Sequence, residues 1–186
     1  PDINPNHASM LTLVTAMAVA NAMHRVTGAE ALIKWPNDIV INGKKICGIL
    51  TEMSAQFDYI NHIVIGIGIN VHNESFPEEL QDHAGSLLLE CGKRVHRADL
   101  IEAFLEEFER LYAIYLKTED LSALQEEYDQ LLVNRGRQVR VLDPKEPFEG
   151  KAMGITKKGE LIVDTWESRK LVSSGEVSVR GIYGYV

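Results

Sequence analysis

Cysteine is nearly absent. Cys47 and Cys91 are the only two in 186 residues, with no Cys-x-x-Cys spacing for a metal knuckle and too few thiols for a disulfide framework. A reducing, cytoplasmic setting suits such a chain. Long apolar runs are lacking as well. The richest stretches, 10–23 and 60–71, are broken by Thr, Asn, His and Gly and stop short of the roughly 20 residues that span a bilayer, so no membrane contact is expected. The opening residues, PDINPNHASM, contain neither an initiator Met nor the basic and apolar regions of a secretion leader, and the chain reads as cut from something longer. What the sequence does contain, 45% apolar and 25% charged residues, is the balance of a folded globular protein and excludes general disorder.

Charge divides the chain unevenly. Residues 1–134 carry 9 Lys/Arg against 20 Asp/Glu, a balance of −11, whereas residues 135–186 carry 10 against 7, a balance of +3. Periodicity changes at the same place. In the first part, Met10, Leu13, Val14, Met17, Ala18, Ala20 and Met23 recur at helical spacing until Gly28, and their small size predicts close packing on a sheet. A strand at 31–34, the Trp35-Pro36-Asn37 turn and a strand at 38–41 precede Asn42-Gly43, the strongest short hairpin signal. The returning strand, 45–50, continues toward Glu52; a loop is expected at 54–58 and a further Ile/Val-rich strand at 59–71. Leu100, Ile101, Phe104, Leu105, Phe108, Leu111, Tyr112 and Tyr115 then mark a long amphipathic helix, and 121–132 a second one. From Gln138 the period becomes two, as at Val139/Val141, Leu161/Val163 and Val177/Val179, with turns at Asp143-Pro144, Lys158-Gly159 and Ser174-Gly175. The expected architecture is α/β (α+β): a mixed sheet packed with helices over 1–134, followed by a small all-β module over 135–186.

Chemistry concentrates in three short blocks: Lys34-Trp35-Pro36-Asn37-Asp38, the Lys44-to-Glu52 strand, and Gly66-Ile67-Gly68-Ile69-Asn70. Asn37 and Asp38 stand at the mouth of the hairpin, and Lys45 enters the returning strand nearby. Gly48, Gly66 and Gly68 lie inside strands, where glycine is less favourable than alanine by about 0.5–1 kcal/mol and marks a bulge, tight packing or a ligand lying on the backbone. Three of them on neighbouring strands suggest a flat, apolar-edged slot with one cation at its rim. Each element also has a plainer reading: packing for the glycines, solvation for Lys45 and Glu52, an Asx turn for Asp38. The run lacks the third glycine and the strand-to-helix setting of a dinucleotide loop. The six histidines offer no pair at metal-ligand spacing on a helix.

Together, KWPND, the KKICGIL strand and GIGIN resemble the signature of biotin protein ligases, enzymes that attach biotin to the carrier domains of carboxylases. The resemblance extends to the helical pair at 99–132 and to the Gly175-to-Arg180 run. It implies a catalytic fold like that of class II aminoacyl-tRNA synthetases, followed by an SH3-like barrel. It also implies biotin and ATP as substrates with Mg²⁺, and a biotin carboxyl carrier protein as partner. By that likeness Lys45 contacts the biotin carboxylate and the α-phosphate. Gly48, Leu50, Gly66 and Gly68 line the biotin rings, and Asn70 reads the adenine edge. Asn37 and Asp38 lie near the phosphates and the incoming acceptor lysine, where Asp38 either orients that lysine or holds Mg²⁺. Arg180 reaches the nucleotide phosphates from the small domain. Trp166, Tyr183 and Tyr185 are expected in the barrel core or at its edge.

The family's glycine- and arginine-rich loop, its Ser/Thr and Gln ureido-ring ligands and the helix-turn-helix domain of some members do not occur here, so the likeness implies the later half of a catalytic domain plus the small domain, with little activity alone. A related lipoate–protein ligase is the nearest alternative. A homodimer through a sheet edge, or a non-catalytic binding or oligomerisation module, would also use this fold. Nucleic acid is an unsuitable partner for a chain whose larger part is strongly acidic.

Overall fold

The computed structural model describes residues 1–143, 146–174, 178–182 and 185–186. A short 3₁₀ turn, Pro5–His7, leads into α1, Met10–Thr27, which ends where Gly28 adopts φ 76° and donates its N–H to the His24 carbonyl. The helix is buried almost all round: Val14, Ala16, Met17, Ala18, Ala20, Ala22 and Met23 are fully enclosed. A helix with no polar face must lie between two layers, and α1 packs on the first sheet on one side and on α3, Arg97–Thr118, on the other.

That sheet runs β1 (Leu32–Lys34), β2 (Asp38–Ile41), β3 (Lys44–Ala55) and β4 (Ile60–Ile69), each antiparallel to the next. Among the described residues, parallel pairing enters this sheet, expected to be mixed, only as isolated bridges, Ile33 with Leu132 and Lys45 with Ala84. The turn between β2 and β3 forms as the sequence predicts, Asn42 at φ 53° and Gly43 at φ 78° supplying the left-handed pair of a tight hairpin. The loop expected from Ser54 begins later, because β3 holds its ladder to Ala55 and Gln56 N–H closes the tip on the Tyr59 carbonyl at 2.8 Å.

After α2 (Leu87–Cys91) and α3, the second expected helix is only Gln125–Leu131, α4. The preceding residues are captured as a turn: Asp120 caps Ser122 N–H at 2.9 Å, and Leu121 N–H bonds to the Lys157 carbonyl at 2.8 Å. The second sheet has order β8-β7-β6-β5-β9, all antiparallel, from β5 (Gln138–Leu142), β6 (Phe148–Ile155), β7 (Leu161–Asp164), β8 (Arg169–Val172) and β9 (Ser178–Gly181). Of the expected turn and strand residues, Pro144, Gly175 and Val177 lie outside the described residues, as does Tyr183.

One hydrophobic core runs through both parts, from Leu13 and Ile33 to Val139, Ile155, Leu161 and Val163. Polar contacts fix the junction. Trp35 Nε1 donates to the Gly159 carbonyl at 3.0 Å, and the buried Asp129 carboxylate accepts from Ile155 N–H at 2.9 Å. The tail is thereby set against the turn that precedes β2, where the chemistry-bearing residues stand. Among the described residues, no helix is long and apolar enough to cross a membrane.

Candidate functional site

The strand pleat gives the first sheet two unlike faces. Ile49, Thr51 and Cys47 of β3, paired with Ile67, Ile65 and Ile69 of β4, face the helices. The alternate set, Gly48, Leu50 and Glu52 opposite Gly68, Gly66 and Val64, faces outward, and Leu50 is 65% and Val64 53% exposed. Glu52 is exposed, in keeping with a solvated strand carboxylate.

What the glycines accommodate differs between them. A Cβ on Gly48 would stand 3.1 Å from Lys45 Nζ and 3.6 Å from Asp38 Oδ1, so the bare backbone at 48 is where these two side chains meet. On Gly66 or Gly68 a Cβ would meet only backbone carbonyls at 3.7 and 3.8 Å, ordinary contact distances. The protein's own packing therefore does not require glycine at 66 or 68.

Asp38 is the hub. It is 7% exposed, an arrangement that needs cationic or donor partners. Lys45 Nζ lies 2.5 Å from Oδ1, Lys34 Nζ 3.8 Å from Oδ2, and the Tyr185 hydroxyl donates to Oδ2. The Lys45 contact is an ion pair without hydrogen-bond alignment, so Oδ1 lacks a well-directed donor. Burial pulls the Lys34 ammonium below its ordinary pKa, with Asp38 opposing the shift and the charges of Lys45 and Arg180 adding to it. Nearby, burial pushes the Cys47 thiol up to about 12, which leaves it an inert core group.

Two clefts flank this hub. One, of about 600 Å³, is lined by Asn37, Asp38, Leu50 and Lys34 together with Thr12 and Ser178. The other, of about 320 Å³, is lined by Lys45, Gly48, Gly68 and Asn70. Gly66 lies on the same outward face as Leu50, its partner across the ladder. Asn37 and Asn70 both have tasks within the fold: Asn37 Nδ2 donates to the Ile49 carbonyl at 2.9 Å and Asn70 Nδ2 to the Gly85 carbonyl at 3.1 Å. Arg180 sits exposed on β9, close enough for its charge to act on Lys34 and Tyr185.

The surroundings of Asp38 do not suit a metal ion. Its oxygens face two ammonium groups and a phenol, and among the described residues no three His, Cys, Asp or Glu side chains converge. Two aromatic residues stand elsewhere than in the barrel core. Trp166 is wholly exposed at the β7–β8 turn, outside any core, because Thr165 N–H closes that turn on the Ser168 carbonyl at 2.9 Å and leaves the indole outside. Tyr185 packs not in the barrel core but on the hub. Lys34, within the KWPND block, is the other participant that its residue type conceals, since a strand-end lysine ordinarily reads as solvated.

Comparison with known proteins agrees with this arrangement. Residues 1–70 match the Biotin/lipoate A/B protein ligase family, and residues 136–180 match the Biotin protein ligase C terminal domain. The Bifunctional ligase/repressor BirA of Bacillus spizizenii is 39% identical over 181 residues, covering 96% of this chain and 55% of the relative. The Biotin--[acetyl-CoA-carboxylase] ligase of Mycobacterium tuberculosis is 31% identical over 172 residues, covering 90% and 61%. The biotin protein ligase from Aquifex aeolicus in complex with biotin and ATP superposes with a TM-score of 0.82 at 28% identity, covering 96% of this chain and 75% of that one. The chain spans about half the length of the BirA relatives it matches. With both family regions in order along one mixed α/β chain, it matches the C-terminal part of biotin protein ligases in sequence and in fold.

Proposed function

We propose that this chain provides the glycine-faced half of a biotin-activating site and the small domain that closes against it, in a ligase that makes biotinyl-AMP and transfers biotin to a lysine of a biotin carboxyl carrier protein. The observation that carries this reading is the outward face of β3 and β4. Gly66 and Gly68 are bare there without any packing need, beside Gly48 and Leu50, with one half-exposed ammonium, Lys45, held at the rim by Asp38. A thin bicyclic ligand would lie on that face with its carboxylate toward Lys45.

In the first step a biotin carboxylate oxygen attacks the α-phosphorus of ATP, and pyrophosphate leaves. Lys45 neutralises charge shared between the attacking carboxylate and the α-phosphate, and Arg180 adds positive field from the small domain. Asn70 is assigned to the adenine edge through its carboxamide oxygen, its nitrogen being engaged with Gly85. Asn37 is assigned to the phosphate side of the turn. In the second step the acceptor lysine's amine attacks the acyl carbon and AMP leaves; Asp38 orients the incoming amine. Mg²⁺ enters as the ion of the ATP triphosphate, since Asp38 is already ringed by cations.

The domains in this reading are 1–134, class II synthetase-like, and 135–186, an SH3-like barrel. Two free thiols, Cys47 and Cys91, suit a cytoplasmic enzyme. A homodimer through the sheet would use the outer edge of β4, which pairs with no strand among the described residues.

Titration calorimetry of the protein with biotin, lipoate and ATP tests the assignment, followed by transfer of labelled biotin to a carrier domain. Biotin is expected to bind at least about tenfold more tightly than lipoate, whose single ring fills less of the face. Preference for lipoate, or biotin binding unaffected by changes at Gly66 and Lys45, would overturn it.

A further inference from the structure

The second sheet returns to the site through a residue that neither the barrel nor the ATP phosphates explain. Tyr185 follows β9, yet its contacts are those of the hub. Its hydroxyl donates to Asp38 Oδ2, the Lys34 ammonium lies 4.2 Å from its ring centroid, and its ring is 5.9 Å from that of His83. The His83 carbonyl in turn accepts Lys45 N–H at 2.7 Å. A tyrosine that merely filled a gap would not have every one of these partners in one site.

We propose that Tyr185 is a positioning residue for biotin activation, its hydroxyl fixing the rotation of the Asp38 carboxylate so that Oδ1 holds the Lys45 ammonium over Gly48. Geometry requires such a part. Lys45 meets Oδ1 at 2.5 Å without hydrogen-bond alignment, and Lys34 is 3.8 Å from Oδ2, too far to direct it. Among the described residues, the Tyr185 hydroxyl is the one hydrogen-bond donor to this carboxylate. Burial first, and then the bond to Asp38, push the phenol above its ordinary pKa, so it remains a donor throughout the neutral range. The ring meanwhile gives Lys34 a face to rest on, which keeps that ammonium from swinging toward Oδ1 and displacing Lys45. Because Tyr185 belongs to the tail, a docked small domain becomes a condition for an ordered Lys45.

This inference rests on the proposed ligase reading, and its test separates the two. Pyrophosphate release from biotin and ATP is compared in wild type, Y185F, D38N and the double variant of a complete ligase that contains this chain. Y185F is expected to lower kcat roughly tenfold, the effect of one hydrogen bond to a charged group. KM for both substrates should stay within about twofold, since ground-state binding is retained, and the melting temperature should hold. In the D38N background, Y185F should have no further effect, because the tyrosine acts through that carboxylate. An equal loss from Y185F in both backgrounds, or a change in KM alone, would overturn the positioning role. A complete ligase containing this chain that releases no pyrophosphate with biotin sinks the ligase reading instead. The contact is then judged by the Lys45 ammonium signal in ¹H–¹⁵N spectra at low temperature and mildly acidic pH. Loss of that signal in both D38N and Y185F supports the inference, and its retention in Y185F defeats it.

Discussion

The two sheets are both antiparallel and share one continuous core, yet they obey different rules. In the second, alternate residues are sealed inside: Val139, Val141, Ala152, Leu161 and Val163 are wholly buried, and the charged residues point outward. The first sheet buries Asp38 and Lys34, and whereas the mid-strand glycines of β6 in the second sheet are buried, Gly66 and Gly68 lie exposed on its outward face beside the open Leu50. A sheet that violates local preference at so many neighbouring positions is adapted to something besides its own stability. The second sheet provides the fixed surface against which the first can tolerate those violations.

The largest effect that should separate the two is at Lys45. Lys45→Ala is expected to reduce biotin activation by roughly 10²–10³-fold, as for loss of a charge that meets a developing anion. Stability should fall by only about 1–2 kcal/mol, because Lys34 and Tyr185 still face Asp38. Pyrophosphate release and thermal unfolding measure both quantities on one preparation. A loss of folding in proportion to the loss of activity would put Lys45 among structural residues and erase the contrast.

The glycines sharpen the comparison next. Gly66→Val adds a side chain that meets nothing closer than 3.7 Å at its Cβ, so unfolding should be unaltered while biotin affinity falls at least about tenfold, the isopropyl group occupying the ligand's face. Gly150→Ala in β6 is the counterpart. Its Cβ would stand 2.6 Å from the Asp164 carbonyl oxygen, and overpacking of this kind costs about 1–3 kcal/mol without touching the binding face. Calorimetric affinity and denaturant midpoints on the pair should therefore move in opposite columns. If Gly66→Val unfolds the protein, its glycine serves packing after all.

Much of this was legible in residue order because local chemistry decided it. Asn42-Gly43 admits few conformations besides a tight hairpin, and that hairpin alone brings Asp38 opposite Gly48 and Lys45 beside both. The helical spacing from Met10 and from Leu100 likewise survives folding unchanged. Elements were hidden where the periodic signal was carried by residues without hydrophobic weight: the inward set of β6 is Gly150, Ala152 and Gly154, too small to register as a strand face. Tyr185 was hidden for another reason. It lies 147 residues from Asp38, after the last strand, and nothing in its neighbourhood announces a long-range partner. Side chains that complete a site from a separate sheet are a property of docking, which pattern along the chain does not encode.

The smallest effect concerns the joint between the sheets. Asp129 on α4 is buried, accepts from Ile155 N–H, and its carboxylate crowds Gly154, where a Cβ would come within 2.8 Å of both Oδ1 and Cγ. Burial raises its pKa above the usual carboxylate value, with the Ile155 bond and Arg135 opposing. In the window between its unfolded and its raised folded pKa, the native state binds more protons than the unfolded state, so this group's contribution to stability falls as pH rises. Asp129→Asn preserves an oxygen to accept the Ile155 bond and removes the buried charge. Relative to wild type, the variant should gain stability as pH is raised from mildly acidic to neutral, by about 1 kcal/mol or less for a carboxylate that remains partly solvated, and the two should converge once both forms of Asp129 are protonated. Urea midpoints measured across that range give the answer. A difference that shrank with rising pH would mean that the anion, and not the oxygen acceptor alone, holds the second sheet to the first.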